Sequence, residues 1–279
     1  MPYDAQATKQ FYNRYLNFEW ERLEATAYGR LQALIHLEFI ERYCKQNYSV
    51  LDAGCGPGRF SIFIARMGAR VTLLDLSSGQ LRLAKENMTR EKLLTQTDGF
   101  LEGDITNLSR FPDSHFDLTL CLGGPLSYAC EKRFQAAREL IRVTRPGGTV
   151  LVSVMSRLGS TIQGLQNPKV DWKKDFTLER VRSVIEEGDL PWFPSARLSI
   201  QHPAMHLFSA DELKELLPGC KVLEIAASNV CGTGMPSRLD DIAKNEASWQ
   251  LVVSIERALN HQAGLLDSGS HIILAVQRA

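Results

Sequence analysis

The run VLDAGCGPGRF at residues 50–60 constrains this chain more than any other feature. An apolar strand pattern leads straight into Gly54, Gly56 and Gly58, and a helical pattern begins at Arg59. Glycines at this spacing permit a tight turn and let a ligand approach bare backbone. The helix that follows aims unpaired amides at the same place. A purely structural turn is written with the same residues, so the loop alone names no ligand. It does exclude some. The closing Gly-Lys-Ser/Thr of a Walker loop is missing, which removes nucleoside triphosphate hydrolysis. The spacing is G-x-G-x-G, a poor fit to the dinucleotide fingerprint G-x-G-x-x-G.

Strand and helix patterns alternate around this loop. Residues 48–53, 70–75, 99–103, 116–122 and 149–155 read as strands. The fourth, FDLTLCL, is a continuous apolar run, as a parallel strand covered on both faces requires. Helices are predicted from Arg59 to Met67, ended by Gly68, and from a Ser77 or Ser78 cap through Thr89. Another covers 131–144, with Phe134, Ala137, Leu140 and Ile141 inward, before a Pro146-Gly147-Gly148 turn. Residues 9–46 read as helical with a break near Gly29. This order predicts an α/β fold with a mostly parallel sheet.

After residue 156 the rhythm changes. Residues 157–207 hold a glycine-rich entry, a helix around 177–187 and the run DLPWFPSARLSIQHPAMHLF, too long for a simple connection and read as a cap. Ser209 and Glu212 spell a capping box. A strand at 221–227 and helical segments over 237–262 precede a last strand at 271–277. No helix follows it, so it should pair antiparallel. One domain is expected: N-terminal helices 1–47, core 48–156, cap 157–207 and C-terminal part 208–279.

Composition narrows the function classes. Lys plus Arg and Asp plus Glu both number 32, so the chain has no net positive field to draw a long anionic polymer. The six cysteines form no C-x-x-C pair and no zinc spacing, so no metal site is expected, and they read as reduced small hydrophobes. No signal-peptide pattern and no apolar run of transmembrane length is found, so a soluble cytoplasmic protein with no membrane partner is expected.

Three acids end the first three strands: Asp52, Asp75 and Asp104. The carboxyl ends of parallel strands form the usual ligand crevice. Asp75 is placed to accept from both ribose hydroxyls, a feature that nicotinamide enzymes share with other adenosine-cofactor enzymes. With VLDAGCGPG at 50–58, VTLLDLS at 71–77, EGDI at 102–105, FPDSHFDLTLCLGGPLSY at 111–128 and ELIRVTRPGGTVLVSV at 139–154, residues 48–156 resemble the core of the class I S-adenosylmethionine-dependent methyltransferases. The GGPLSY stretch further resembles a small-molecule subgroup.

The resemblance implies a Rossmann-like seven-stranded sheet, its last strand antiparallel, with N-terminal helices and a cap inserted after strand five. It implies S-adenosyl-L-methionine as cofactor. Asp52 would orient the methionine amino group, directly or through water. Gly54, Cys55 and Gly56 would lie beside the methionine portion. Asp75 would bind the ribose diol and Leu76 would pack on adenine. Asp104 would accept from the adenine amino group, with the Ile105 amide near the ring. Leu122, Gly123 and Gly124 would border the cofactor at the fourth strand's end.

Methyl transfer from a sulfonium needs alignment and exclusion of water, and a base only where the acceptor must lose a proton. The candidates are Tyr15, with Trp20, in the N-terminal segment that closes over such sites in the resembled family; Tyr128 after the fourth strand; and His206, the first choice for a base. Anchoring or core roles are open for each. Arg157 and Arg197 read as acceptor ligands or as ion-pair partners, and Trp192 and Phe193 as a lid patch. The expected reaction is methyl transfer to a small-molecule acceptor by a monomer or homodimer. Nucleic-acid methylation is disfavoured because Leu122-Gly123-Gly124-Pro125-Leu126 stands where amino-group enzymes of that kind carry Asn/Asp-Pro-Pro-Tyr/Phe. A protein or peptide methyltransferase, a non-catalytic cofactor-binding protein and a nicotinamide oxidoreductase stay open as alternatives.

Overall fold

The computed structural model describes residues 1–166, 177–191, 193–194 and 201–279. Its centre is one seven-stranded sheet. In chain order the strands are β1 (Ser49–Ala53), β2 (Arg70–Asp75), β3 (Thr97–Glu102), β4 (Phe116–Cys121) and β5 (Thr144–Met155). Four short strands follow in the insertion: β6 (Asp189–Leu190), β7 (Phe193–Pro194), β8 (Gln201–His202) and β9 (Met205–His206). Then come β10 (Cys220–Ser228) and β11 (His271–Arg278). The spatial order is β10-β11-β5-β4-β1-β2-β3, and β11 runs antiparallel to both neighbours, as the chain end predicts.

The inner strands β1, β2, β4 and β11 are buried on both faces, which is why they read as largely apolar runs, whereas the edge strands β3 and β10 are partly exposed. Side chains alternate across the sheet with period two. Leu51, Val150, Val152, Ile272 and Leu274 pack with α7 (Arg133–Val143) and α10 (Ala210–Glu215). Val50, Leu73, Leu118, Leu120 and Ile273 pack with α3 (Ala27–Tyr43), α4 (Arg59–Arg66) and α5 (Ser78–Arg90). Truncating a fully buried side chain such as Leu51 or Leu118 to alanine costs about 2–5 kcal/mol. The chain leaves β1 for β2 on one side and reaches β4 on the other, so the strand order reverses beside β1. That reversal opens a crevice at the strands' carboxyl ends.

Several helix ends follow the sequence. Ser77 Oγ accepts from the Gln80 amide and starts α5. Ser209 and Glu212 form a reciprocal capping box on α10. Gly68, at φ +82°, follows the last turn of α4.

Local expectations are refined or corrected. The N-terminal helical stretch does break near Gly29, over residues 22–26, but Gly29 itself lies inside α3, because Thr26 caps that helix by accepting from the Gly29 amide at 3.0 Å; a further break lies at Leu16, where φ is +36°, between α1 (Ala5–Tyr15) and α2 (Asn17–Glu21). Phe134 is 48% exposed, since α7 buries Ala136, Ala137, Leu140 and Val143 instead. Pro146–Gly148 is no free turn. It bulges out within β5, where Phe116 pairs with Thr144 and Leu118 with Thr149. The glycine-rich entry is a helix, α8 (Arg157–Gln166), while the helix expected around 177–187 is found as α9 (Leu178–Arg182) running on into a π-helical turn at Ser183–Glu187.

Candidate functional site

A cleft of about 890 Å³, counting the space open to solvent, lies at the carboxyl ends of β1, β2, β3 and β4. Its floor is the glycine loop. Gly54 and Cys55 donate their amides to the Leu74 carbonyl at 2.7 and 3.0 Å, which pins the loop to the end of β2. Gly54 holds φ +86°, and a Cβ there would sit 2.3 Å from the Pro125 ring. Gly56, at φ +52°, has mostly open space above it. The bare backbone is therefore presented to the cleft, as the sequence spacing requires.

Asp75 closes the loop from the side. One of its oxygens accepts from the Gly56 amide and the other from the Ser77 amide, each at 2.8 Å. Burial pushes this carboxyl from 3.8 up to about 6, against those two amides, which favour its ionised form. Asp104, after β3, accepts from the Thr106 amide and from the Tyr3 hydroxyl, both at 2.8 Å. Leu76, Ile105, Leu122 and Gly123 line the cleft with these acids.

Asp52 does not line it. It is 1% exposed, lies behind the loop and accepts from the Ser61 hydroxyl at 2.5 Å. Burial raises this carboxyl to about 6 as well. Gly124 is also off the cleft, at φ +103° against Met155.

The opposite wall comes from the N-terminal helices and from α6 (Pro125–Tyr128). Tyr12 and Tyr128 meet edge to face with ring centroids 5.6 Å apart. Burial pushes both phenols up, so both are neutral hydroxyls. Behind Tyr128, His202 Nε2 lies 3.5 Å from its hydroxyl, and His202 Nδ1 donates to the Pro203 carbonyl at 3.0 Å. Burial pulls this histidine down to about 4.

The other expected chemical residues are placed elsewhere. Tyr15 stacks on Phe11 at 5.2 Å and does not line the cleft. His206 is 2% exposed on β9, bonds Asp189 through Nδ1 at 2.8 Å, packs on Phe208 and does not line the cleft. Trp20 is an anchor, with the Arg59 guanidinium 4.1 Å over its ring. Arg157 is taken by both oxygens of Glu212 at 2.6 Å. Trp192, Arg197 and the Phe193 side chain lie outside the described residues.

Among the lining residues missed from sequence are Tyr3, Glu19, Arg22 and Leu23, of which Glu19 and Arg22 form an ion pair. They pair three residues apart, with Arg22 Nε donating to Glu19 Oε1 at 2.7 Å. The i, i+3 spacing was visible, but an exposed helical pair reads the same way. Among the described residues, no three His, Cys, Asp or Glu side chains converge as metal ligands, and no helix is long and apolar enough to cross a membrane.

Comparison with known proteins agrees with this layout. A family model described as a methyltransferase domain matches residues 50–148, the stretch from β1 to the start of β5. The malonyl-[acyl-carrier protein] O-methyltransferase of Pectobacterium atrosepticum is 34% identical over 156 residues, which cover 55% of each chain. The chain spans about half the length of the curated relatives it matches. Among solved structures, the cyclase SpnF superposes with a TM-score of 0.62 at 18% identity, covering 99% of this chain and 96% of that one. An S-adenosylmethionine-dependent methyltransferase from Methanosarcina mazei gives a TM-score of 0.56 at 18% identity, covering 86% and 96%. The chain has the class I S-adenosylmethionine-dependent methyltransferase fold.

Proposed function

We propose that this chain transfers a methyl group from S-adenosylmethionine to a small-molecule acceptor by in-line displacement. One observation carries the reading. The bare backbone at Gly54–Gly56 and the carboxylates of Asp75 and Asp104 open into one cleft, inside the stretch that matches the methyltransferase model. The cofactor supplies a methyl already activated on a sulfonium. The residues present fit it. Glycines stand where a side chain would fill the floor, and the two carboxylates suit a ribose diol and an adenine amino group.

The protein's own work is then placement and exclusion of water. Asp75 holds the ribose, Asp104 the adenine edge, and Leu76 and Ile105 pack the ring. Tyr128, with Tyr12, walls the acceptor side and offers neutral hydroxyls to position a nucleophile. Tyr15 and His206 support this wall and the cap from outside the cleft. Among the described residues of the Tyr12–Tyr128 wall, burial pushes both phenols up and pulls His202 down, so none of these three is a ready base at neutral pH. This favours an acceptor that needs no base, such as a carboxylate. The malonyl-[acyl-carrier protein] named for the curated relatives, an acyl group borne on a carrier protein, supports a carboxylate acceptor. A cytoplasmic monomer or homodimer without nucleic acid is part of the same proposal.

Calorimetry with S-adenosylmethionine, S-adenosylhomocysteine and NAD, run on the wild type and Asp75→Ala, tests it. Binding of the first two, weakened in the variant, is expected. Release of S-adenosylhomocysteine with a panel of carboxylic acids, phenols, amines and thiols then identifies the acceptor. Binding of NAD alone would overturn the reading. Binding with no turnover on any acceptor would point to a cofactor-binding protein.

A further inference from the structure

We infer that Glu19 and Arg22 form the clamp for the zwitterionic amino-acid end of the cofactor, with Arg22 taking the α-carboxylate and Glu19 the α-ammonium. The inference rests on the reading of the cleft as an S-adenosylmethionine site and assigns the end of it that the glycine loop leaves open.

The charges in the cleft are distributed by position. Asp75 ends β2 and Asp104 follows β3, so both serve the adenosine side. Asp52, the acid that the sequence offered for the amino group, is sealed behind the loop on Ser61. Arg59 also lines the cleft but is engaged by the Trp20 carbonyl and Glu24, so among the described residues Glu19 and Arg22 are the ionised pair set at the floor between the loop and the end of β4. Glu19 Cγ lies 3.7 Å from where a Cβ on Gly56 would be. Arg22 Nη2 lies 3.6 Å from where a Cβ on Gly123 would be.

Their placement is built from both sides. Arg59, the first residue of α4, donates to the Trp20 carbonyl at 2.9 Å and pairs with Glu24 at 2.8 Å. That ties α2 to the helix leaving the glycine loop. On the other side, a Cβ on Gly29 would sit 1.9 Å from the Arg22 carbonyl oxygen. Only a glycine in α3 leaves room for the backbone of Arg22. The pair it positions is largely buried, with side chains 15% and 23% exposed.

The chemistry is complementary. A partly buried ion pair is weak evidence for stability, because desolvation offsets its attraction. A zwitterion presents a carboxylate to the guanidinium fork and an ammonium to the carboxylate, both as charge-assisted hydrogen bonds. Two protein charges then meet two ligand charges, and none is left buried alone. The neutral pair meets a neutral amino-acid end, so that end of the ligand adds no net charge to the cleft.

The test is calorimetry of the wild type, Glu19→Gln, Arg22→Met and Arg22→Lys with two ligands. S-adenosylhomocysteine carries the amino-acid end, and 5′-methylthioadenosine keeps the adenosine and thioether without it. Glu19→Gln and Arg22→Met are expected to weaken S-adenosylhomocysteine about 10- to 100-fold, the range of one lost charge-assisted bond. Affinity for 5′-methylthioadenosine should be unchanged, and Arg22→Lys should fall between. Equal losses for both ligands, or no loss for either, would overturn the clamp. A wild type that binds neither ligand would overturn the reading of the cleft itself. Should Arg22→Met fail to fold, Glu19→Gln and Arg22→Lys carry the same comparison.

Discussion

The Gly56 amide and the Asp75 carboxylate meet at 2.8 Å, so the acid that faces the cleft is also the acid that holds the loop's tip. Its second oxygen accepts from Ser77, the residue that caps α5. Asp75→Asn puts an amide donor against one of two backbone donors. Loop geometry and ribose recognition are then lost together. The expected result is about a 10- to 100-fold loss of S-adenosylhomocysteine affinity by calorimetry, the range for a hydrogen bond to a charged group. An unchanged affinity would remove Asp75 from the site.

The same carboxyl makes affinity and stability respond to pH in opposite directions. Burial raises Asp75 from 3.8 to about 6, so between those values the folded protein holds a proton that the unfolded chain releases. Its contribution to stability is full below about pH 4 and is lost as pH rises through about 6. Ligand binding needs the ionised form and should strengthen over that same rise. Buried His36 and His202 act oppositely: both are pulled from 6.5 to about 4, and their contribution is lost as pH falls through that window. Denaturant unfolding of Asp75→Asn should therefore show stability rising more steeply between about pH 4 and 6 than in the wild type. Parallel curves would count against the burial of this acid.

Sequence legibility followed how local the determinants are. The glycine loop, the Ser77 cap, the capping box at Ser209 and the antiparallel last strand are each written within a few neighbouring residues, and all are found. Leu76, Asp104 and Gly123 line the cleft because strand ends place them there. Asp52 and His206 are near the right elements, but which face they take depends on packing from elsewhere: Ser61 on α4 draws Asp52 behind the loop, and Asp189 on β6 holds His206 inside. Gly29 looked like a helix breaker because its reason is a contact with Arg22, seven residues upstream, and no local pattern records it.

A buried relay supports the end of β4. His36 Nδ1 donates to the Gln32 carbonyl at 2.8 Å, which leaves Nε2 to accept from Ser153 Oγ at 3.0 Å. Ser153 in turn accepts from the Gly123 amide at 2.7 Å. Ser153→Ala strands the lone pair of a histidine that is 1% exposed. The expected cost is about 1–3 kcal/mol in denaturant unfolding. Affinity for S-adenosylhomocysteine should also fall, because Gly123 lines the cleft. Full wild-type stability in this variant would show that the relay is not formed.

Gly29→Ala sets two known effects against each other. Within a helix, alanine is favoured over glycine by about 1 kcal/mol. Here the added Cβ would lie 1.9 Å from the Arg22 carbonyl oxygen and 3.0 Å from the Leu23 Cα. Both are backbone atoms, so no side-chain rotation relieves the contact, and the turn from residue 22 to 26 must move. Overpacking of this kind costs about 1–3 kcal/mol, which outweighs the helix preference. A lower denaturant midpoint is expected, with faster protease cleavage over residues 22–26. Because Leu23 lines the cleft beside Arg22, affinity for S-adenosylhomocysteine should drop with it. A stabilised Gly29→Ala would mean that helix propensity decides this position, and that α2 is not seated against α3.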